Sequence, residues 1–249
     1  MVQDLSYTSL FSGAIFSRIV PSRQIQQIVL VTTNSWMSQV GTLHMFSRDE
    51  NRWFAEGKGV SVTIGKNGLG WGNGIHRAIN TPPQKVEGDH RAPAGVFTLG
   101  PTFGYDADPP LGVSIPYRCI TERDYYIDDP ESEDYNQWVT LGGTQANEPQ
   151  KLWNSFERMK RPDHLYELGL VVQHNAAPAM RDRGSAIFLH IWRAPGVPTV
   201  GCTAMAMNDL LTLIRWLELA NMPHLIQAPI DEIGHLTMEE DADGNTNKG

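Results

Sequence analysis

Ser185–Cys202 reads Ser-Ala-Ile-Phe-Leu-His-Ile-Trp-Arg-Ala-Pro-Gly-Val-Pro-Thr-Val-Gly-Cys. It opens as a strand, because Ile187, Leu189 and Ile191 alternate with Phe188, His190 and Trp192. Period-two alternation puts His190 on one face with Phe188 and Trp192. Two prolines and a glycine then break the strand over Arg193–Pro198. The chain arrives at Thr199-Val200-Gly201-Cys202. A histidine fixed on a strand, a Pro/Gly loop and a cysteine after a glycine can form a thiol nucleophile with its base. A loop of that length can fold Cys202 back to hydrogen-bonding distance of His190.

Outward from this stretch, 249 residues suit one large domain or two small ones, and the apolar fraction of 41% supports a sizeable core. A net charge of −8 argues against a nucleic-acid backbone or an anionic membrane as the main partner. With 23 Gly and 16 Pro among short apolar runs, a β-rich domain is expected. Cys119 and Cys202 make no disulfide framework, and a nucleophilic Cys202 must stay unpaired. No apolar run approaches the length of a transmembrane helix. No clear signal peptide is visible: Arg18 interrupts Leu10–Val20 and no basic region precedes it.

Gln27–Thr33 reads as a strand. Gly41–Ser47 and Arg52–Ala55 read as two more, joined by a turn over Ser47–Asn51, with Val60–Ile64 as another. Lys66–Gly74 contains four glycines. No helix-forming stretch follows it and the Lys-Ser/Thr of a phosphate loop is missing, so it reads as a tight turn. Ala92–Gly95 reads as a turn before a strand over Val96–Leu99. Asp89-His90-Arg91 is a polar loop that either lines a site or is simply solvated. Asp128, Asp129, Glu131, Glu133 and Asp134 lack the spacing of a calcium loop, so that stretch too reads as a solvated loop. Leu152–Arg161 is expected to be helical, with Trp153, Phe156 and Met159 on one face. Leu168–His174 is expected to form a strand antiparallel to that of His190. Asn208 or Asp209 should cap a following helix whose stripe is Leu210, Leu213, Ile214 and Leu217. His224–Ala228 should add a last strand.

Cys119, within an apparent strand over Ile115–Ile120, is expected to be a buried apolar residue. Cys202 is either another such residue or a nucleophile; its glycine-bounded junction favours the second reading. Zinc is disfavoured, since no His-x-His and no His-Glu-x-x-His occurs, and a serine hydrolase lacks its Gly-x-Ser-x-Gly elbow.

The chain also resembles the L,D-transpeptidase catalytic domain family, also called YkuD-like. The family pattern is a His, a spacer, then Ser/Thr-His-Gly-Cys, which maps onto His190 and Thr199-Val200-Gly201-Cys202. Asn67–Gly72, Glu87–Gly104, Asp128-Asp129-Pro130 and Gly184–His190 resemble a bacterial branch of the same family. The resemblance runs from about Gln27 to Ala228.

The resemblance implies a mainly β fold, a β-sandwich or cradle with a few short peripheral helices. It places an N-terminal extension over 1–24, the catalytic domain over 25–230 and an acidic, disordered tail over 231–249. It implies no metal and no cofactor. Its substrates would be peptidoglycan stem peptides, and its location periplasmic, in the cell envelope or secreted. Cys202 would attack the carbonyl before the terminal D-alanine of a tetrapeptide stem. His190 would be the base, oriented by the backbone carbonyl of Ile191, and the amides around Gly201 and Cys202 would hold the oxyanion. Trp192, Arg193, Thr199, Val200 and His174 would contact substrate, with His174 and His90 as the substitute bases. One departure stands out: the histidine that the family carries directly before Gly-Cys is Val200 here. A non-catalytic wall-binding domain on this fold, and a cysteine amidase with another substrate, are the competing readings.

Overall fold

The structure, a computed structural model, describes residues 14–238 apart from 51, 144, 146, 147 and 177. The tail 239–249 and most of the expected N-terminal extension lie outside the described residues. In chain order the elements are α1 (Ala14–Ile19), β1 (Gln27–Thr33), β2 (Val40–Asp49), β3 (Arg52–Thr63), β4 (Leu69–Trp71), β5 (Ala92–Gly104), β6 (Tyr117–Cys119) and β7 (Asp124–Tyr126). They continue with β8 (Trp138–Thr140), β9 (Glu157–Arg158), β10 (Leu168–Val172), β11 (Phe188–Ile191), β12 (Thr203–Met205), α2 (Met207–Trp216) and β13 (His224–Pro229).

The fold is mainly β, and its large sheet closes on itself. β10, β11, β12, β3, β2, β1, β13 and β5 are hydrogen-bonded in that order, and β5 pairs back onto β10. Closure removes the exposed edges that an open sheet would present. The neighbours β1–β13 and β11–β12 are parallel, and the other pairs are antiparallel. β4 and β6 attach to β5 in parallel. A separate sheet of β8, β7 and β9 packs beside the barrel.

β1 and β13 are buried along their whole length. Both faces of these strands are therefore covered, which explains their continuous apolar runs. α2 lies against β10 and β11 through Leu210, Leu213 and Ile214. Each such side chain contributes about 1.5–3 kcal/mol by leaving water. Phe16 of α1 packs edge-on to Phe46 and Trp53 at 4.8 and 5.5 Å, and Arg18 donates to the Gly234 carbonyl. Ile233 and Leu236 are fully buried. The core thus extends beyond both expected domain limits, 25 and 230.

Several local expectations are corrected. Leu152–Arg161 is not a helix: a 3-10 turn over Pro149–Lys151 is followed by the short β9. Trp153 and Phe156 instead close around Tyr125, with ring centroids at 5.9 and 5.4 Å. The Asp129 carboxylate takes the Asn154 amide at 2.8 Å, so tertiary contacts override helical spacing. Ala92–Gly95 is not a turn but the start of β5. Gly95 permits this at φ +147°, where a Cβ would lie 2.2 Å from the His76 ring. Val60–Ile64 is not a separate strand, because β3 runs unbroken from Arg52 to Thr63 with a register shift opposite Leu43–Met45. α2 begins at Ala206 without a side-chain cap. Asn208 and Asp209 fall inside its first turn, where the Asp209 charge favours the positive helix end. Cys119 is half-buried rather than buried. The reading of Lys66–Gly74 as a tight turn holds only at its start: Gly68, with φ +76°, closes a turn on Gly65, and a Cβ there would lie 2.0 Å from the Trp36 carbonyl oxygen, whereas Leu69–Trp71 is the strand β4.

Candidate active site

β11 and β12 run parallel, with Leu189 opposite Thr203 and His190 opposite Ala204. One step further back, the same register sets Cys202 beside Phe188, and the Phe188 N–H donates to Cys202 Sγ at 3.3 Å. Phe188 and His190 share a face of β11, so Cys202 lies diagonally from His190 on that face. The loop between them is tied down before it reaches Cys202. Thr199 N–H donates to the Ile64 carbonyl at 3.0 Å, and Lys66 N–H donates to the Thr199 carbonyl at 2.8 Å. Thr199 Oγ1 donates to the Cys202 carbonyl at 2.6 Å and accepts from the Gly201 N–H at 3.1 Å. The Gly201 amide, expected to hold an oxyanion, is thereby engaged by Thr199 Oγ1.

His190 and Cys202 open into one cavity of about 540 Å³. Arg193, Thr199, Val200 and Gly201 also line it. Trp192 and His174 do not. The Trp192 carbonyl accepts from His164 Nε2 at 3.1 Å. His174 is fully buried behind the wall, with Nε2 against the Arg183 carbonyl at 2.9 Å. Neither is placed to touch a substrate in this cavity, and His174 is not placed to act as a substitute base. His90 does line it, together with Lys85 and Glu87, so the polar loop before Ala92 belongs to the site rather than to bulk solvent.

The electrostatics hold the pair neutral at rest. Burial pushes the Cys202 thiol up to about 12, with the Glu157 carboxylate adding to the rise; the Phe188 N–H, Lys85 and Arg161 oppose it. Burial lowers His190 to about 4, against the pull of the Ile191 carbonyl. His190 Nδ1 lies 2.8 Å from that carbonyl oxygen, which fixes the proton on Nδ1 and leaves the Nε2 lone pair free. The Cys202 thiol donates to the Ala186 carbonyl at 3.5 Å, so at rest it is not turned to the imidazole. Tyr166 packs edge-on to the His190 ring at 5.4 Å.

Residues that the sequence left without a role hold this geometry. Ala186 sits at φ +53°, a strained position for a residue with a Cβ. Asn136 stabilises it: its Oδ1 accepts from the Ala186 N–H at 3.1 Å, while its Nδ2 donates to the His174 and Asn175 carbonyls at 2.9 and 2.7 Å. Next to it, Glu87 Oε2 accepts from Tyr135 and Ser185 at 2.5 and 2.7 Å. Tyr135 in turn accepts from the Gly184 N–H at 3.1 Å. Glu87 and Ser185 lie in segments that carry the family resemblance. Asn136, Glu157 and Tyr166 gave no signal of their own.

A family model described as YkuD, L,D-transpeptidase catalytic domain, matches residues 41–226. Among solved structures, that of the helical cell shape determining protein Pgp2 from Campylobacter jejuni aligns with 13% identity and a TM-score of 0.39. The alignment covers 82% of this chain and 48% of that one, so the chain spans about half the length of its structural match. No curated protein matches the chain.

Proposed function

The chain belongs to the L,D-transpeptidase catalytic domain family, and from that premise we propose that it is a cysteine-dependent L,D-transpeptidase or L,D-peptidase of peptidoglycan tetrapeptide stems. The observation that carries this reading is the shared cavity face of Cys202 and a His190 whose Nδ1 is clamped by the Ile191 carbonyl at 2.8 Å. That clamp leaves Nε2 as the only ring nitrogen able to take a proton. In the reaction the thiol turns from the Ala186 carbonyl to Nε2 and gives up its proton. Sγ then attacks the carbonyl between the diaminopimelate L-centre and the terminal D-alanine. The imidazolium returns the proton to the departing D-alanine amine, and a thioester remains. A second stem's amine resolves it to a 3→3 cross-link, or water resolves it to a tripeptide.

The resting state fits such a reaction. A free thiol near pKa ~8.5 is mostly protonated at neutral pH, and Cys202 lies well above that value. Transfer to a neutral, preoriented imidazole is therefore the route to the thiolate. A peptidoglycan substrate supports a location in the periplasm, in the cell envelope or outside the cell. No described helix is long and apolar enough to cross a membrane.

Intact mass after incubation with a carbapenem tests the reading. We expect one adduct, mapped to the Cys202 peptide and absent from Cys202→Ala. An unmodified protein that also turns over no muropeptide would replace this reading with the non-catalytic wall-binding domain.

A further inference from the structure

We propose that a second cavity, on the other side of His174 from the catalytic one, binds an uncharged acetamido sugar, the kind of unit that bears the stem in a glycan strand. The choice of ligand rests on the peptidoglycan reading above; the site itself lies outside the cavity of Cys202.

This cavity has a volume of about 530 Å³ and shares no lining residue with that of Cys202. Its size suits a small ligand. Its walls come from the segment after β4, from Thr98 of β5 and from the segment after β10. Asn175 builds the rim. Held at φ +51°, it donates through Nδ2 to the Met180 and Gly184 carbonyls at 2.8 and 3.0 Å. Its Oδ1 accepts from the Met180 N–H at 2.9 Å and from Asn73 Nδ2 at 3.2 Å.

The polar groups left over are what point to a ligand. His76 lines the cavity and is only 6% exposed. Its Nδ1 accepts from the Val96 N–H at 3.2 Å, which puts the ring proton on Nε2. That N–H meets no acceptor among the described residues, yet it is not sealed from solvent. The Thr98 hydroxyl and the Gln173 side-chain amide, in the same cavity, also have no partner among the described residues. A largely desolvated donor without an acceptor costs about 1–3 kcal/mol, which a ligand acceptor would recover.

Charge selects the class of ligand. The lining holds no carboxylate, ammonium or guanidinium. Burial holds His76 at about 4, so it too is neutral at pH 7. The catalytic cavity is the reverse, with Lys85, Glu87, Asp128, Glu157, Arg161 and Arg193 in its wall. An ionised peptide would leave its charges unpaired in the second cavity. An acetamido sugar brings hydroxyls and one amide for His76, Thr98 and Gln173, a methyl for Ile75 and Pro178, and no charge.

His174 is the partition. A Cβ on Gly72, which lines the second cavity, would lie 2.8 Å from its Nδ1. A Cβ on Gly184 would lie 3.1 Å from its Nε2 and 2.9 Å from Lys85, which lines the first. A four-residue stem spans at most ~14 Å when extended. Cavities that adjoin across one side chain are within the reach of a single sugar-bearing stem.

Calorimetric titration of the full chain with N,N′-diacetylchitobiose and with cellobiose, which lacks the acetamido groups, tests the site. We expect the acetamido sugar to bind at least tenfold more tightly. Gln173→Ala and Thr98→Val should each weaken it by about two- to tenfold, the worth of one hydrogen bond. Both side chains are half-buried, so both variants should fold, and an unchanged thermal midpoint checks that they do. Cys202→Ala should bind the sugar as the parent does. Equal binding of the two sugars, binding of neither, or parental affinity in both variants overturns the proposal. In turnover, a disaccharide-tetrapeptide should show a KM several-fold below that of the free tetrapeptide at equal kcat, and Gln173→Ala should erase the difference; a difference that persists in the variant counts against the site. Sugar binding in a protein that neither reacts with a carbapenem nor turns over a stem keeps the site while the transpeptidase reading falls. Carbapenem acylation without sugar binding keeps that reading and removes the site.

Discussion

The two walls of the cavity are built by different means. One wall is β11 and β12, two neighbouring strands of a closed barrel, and it carries His190 and Cys202. The facing wall carries Asp128 in the loop just after β7, Glu157 on β9 and Tyr166 on the 3-10 turn that follows the small sheet. No strand pairing joins that sheet to the barrel among the described residues. It docks through aromatic edges instead: Tyr126 on Phe188 at 5.1 Å, Trp138 on Phe103 at 5.6 Å and Tyr166 on Phe188 at 5.5 Å. The difference teaches a division of labour. The group that must hold its position within fractions of an ångström sits on a hydrogen-bonded ladder. The residues that face it sit on a docked module, where side-chain packing sets their position.

The sharpest way to break this comparison is to remove the base. His190→Ala should lower stem turnover by at least the ~10²–10⁴ that a positioned general base supplies, and should slow carbapenem acylation in parallel. His90→Ala, at the exposed edge of the cavity, should not. Near-parental turnover in His190→Ala would move the chemistry off the β11–β12 wall.

Stability separates the walls next. Leu213→Ala, in the stripe of α2 on the barrel, should cost about 2–5 kcal/mol, with loss of protection across all strands. Tyr125 is fully buried in the small cluster with Ile127, Leu141 and Trp153. Tyr125→Ala should cost about 3–5 kcal/mol there. Its loss of hydrogen-exchange protection should be confined to β7, β8 and β9, while β1 and β13 keep theirs. Uniform loss in Tyr125→Ala would show that the two walls unfold as one unit.

The same division explains what was legible in the sequence. β1, β10, β11 and β13 announce themselves, because strands buried on both faces or alternating into a core leave a periodic record. His190 and Cys202 were legible because they lie on or next to a strand at fixed spacing, whereas the Ile191 carbonyl was expected only from the family resemblance. The docked module left no such record. Over Leu152–Arg161 the apolar spacing of Trp153, Phe156 and Met159 imitates a helix, yet those side chains pack into two different clusters. Asn136 bonds to residues 38 to 50 positions away, a distance that no local pattern encodes. His174 was misleading for the opposite reason. Its expected place on the partner strand suggested the site, but β10 ends at Val172 and His174 turns to the Arg183 carbonyl behind the wall.

Acid should act on both walls with opposite signs. Burial holds His76 at about 4, His174 at about 3 and His190 at about 4 in the folded protein, against about 6.5 for a free imidazole. Below pH 6.5 the unfolded chain takes up these protons first, so stability falls until the pH approaches 3–4 and is unaffected above 6.5. Asp128 and Glu157 are raised. The folded state protonates them first, which stabilises it as the pH drops. Burial lowers His224 as well, and four imidazoles against two carboxylates give a net loss. The thermal midpoint should therefore decrease between pH 6.5 and 4, with a shallower slope in His174→Gln and a steeper one in Asp128→Asn. A slope unchanged in both variants would remove these groups from the acid response.

The smallest expected effect concerns the rim. Val200 occupies the position where the family pattern has a histidine, and its side chain is 68% exposed. The backbone beside it is fixed by Thr199, but nothing holds the side chain against Cys202. Val200→His would add an imidazole that titrates near its free value, in solvent, without the carbonyl clamp that fixes His190. A general base contributes when its lone pair is aimed at the proton it takes, and a mobile one is not aimed. The turnover number at pH 7 should therefore change by less than about threefold, with at most a shallow new inflection near pH 6.5 in the rate profile. An increase of about a hundredfold, the low end for a positioned base, would mean that the rim can be ordered by the bound stem. The catalytic wall would then extend from the ladder of β11 and β12 into the loop, and the contrast between a laddered wall and a docked one would have to be redrawn at Val200.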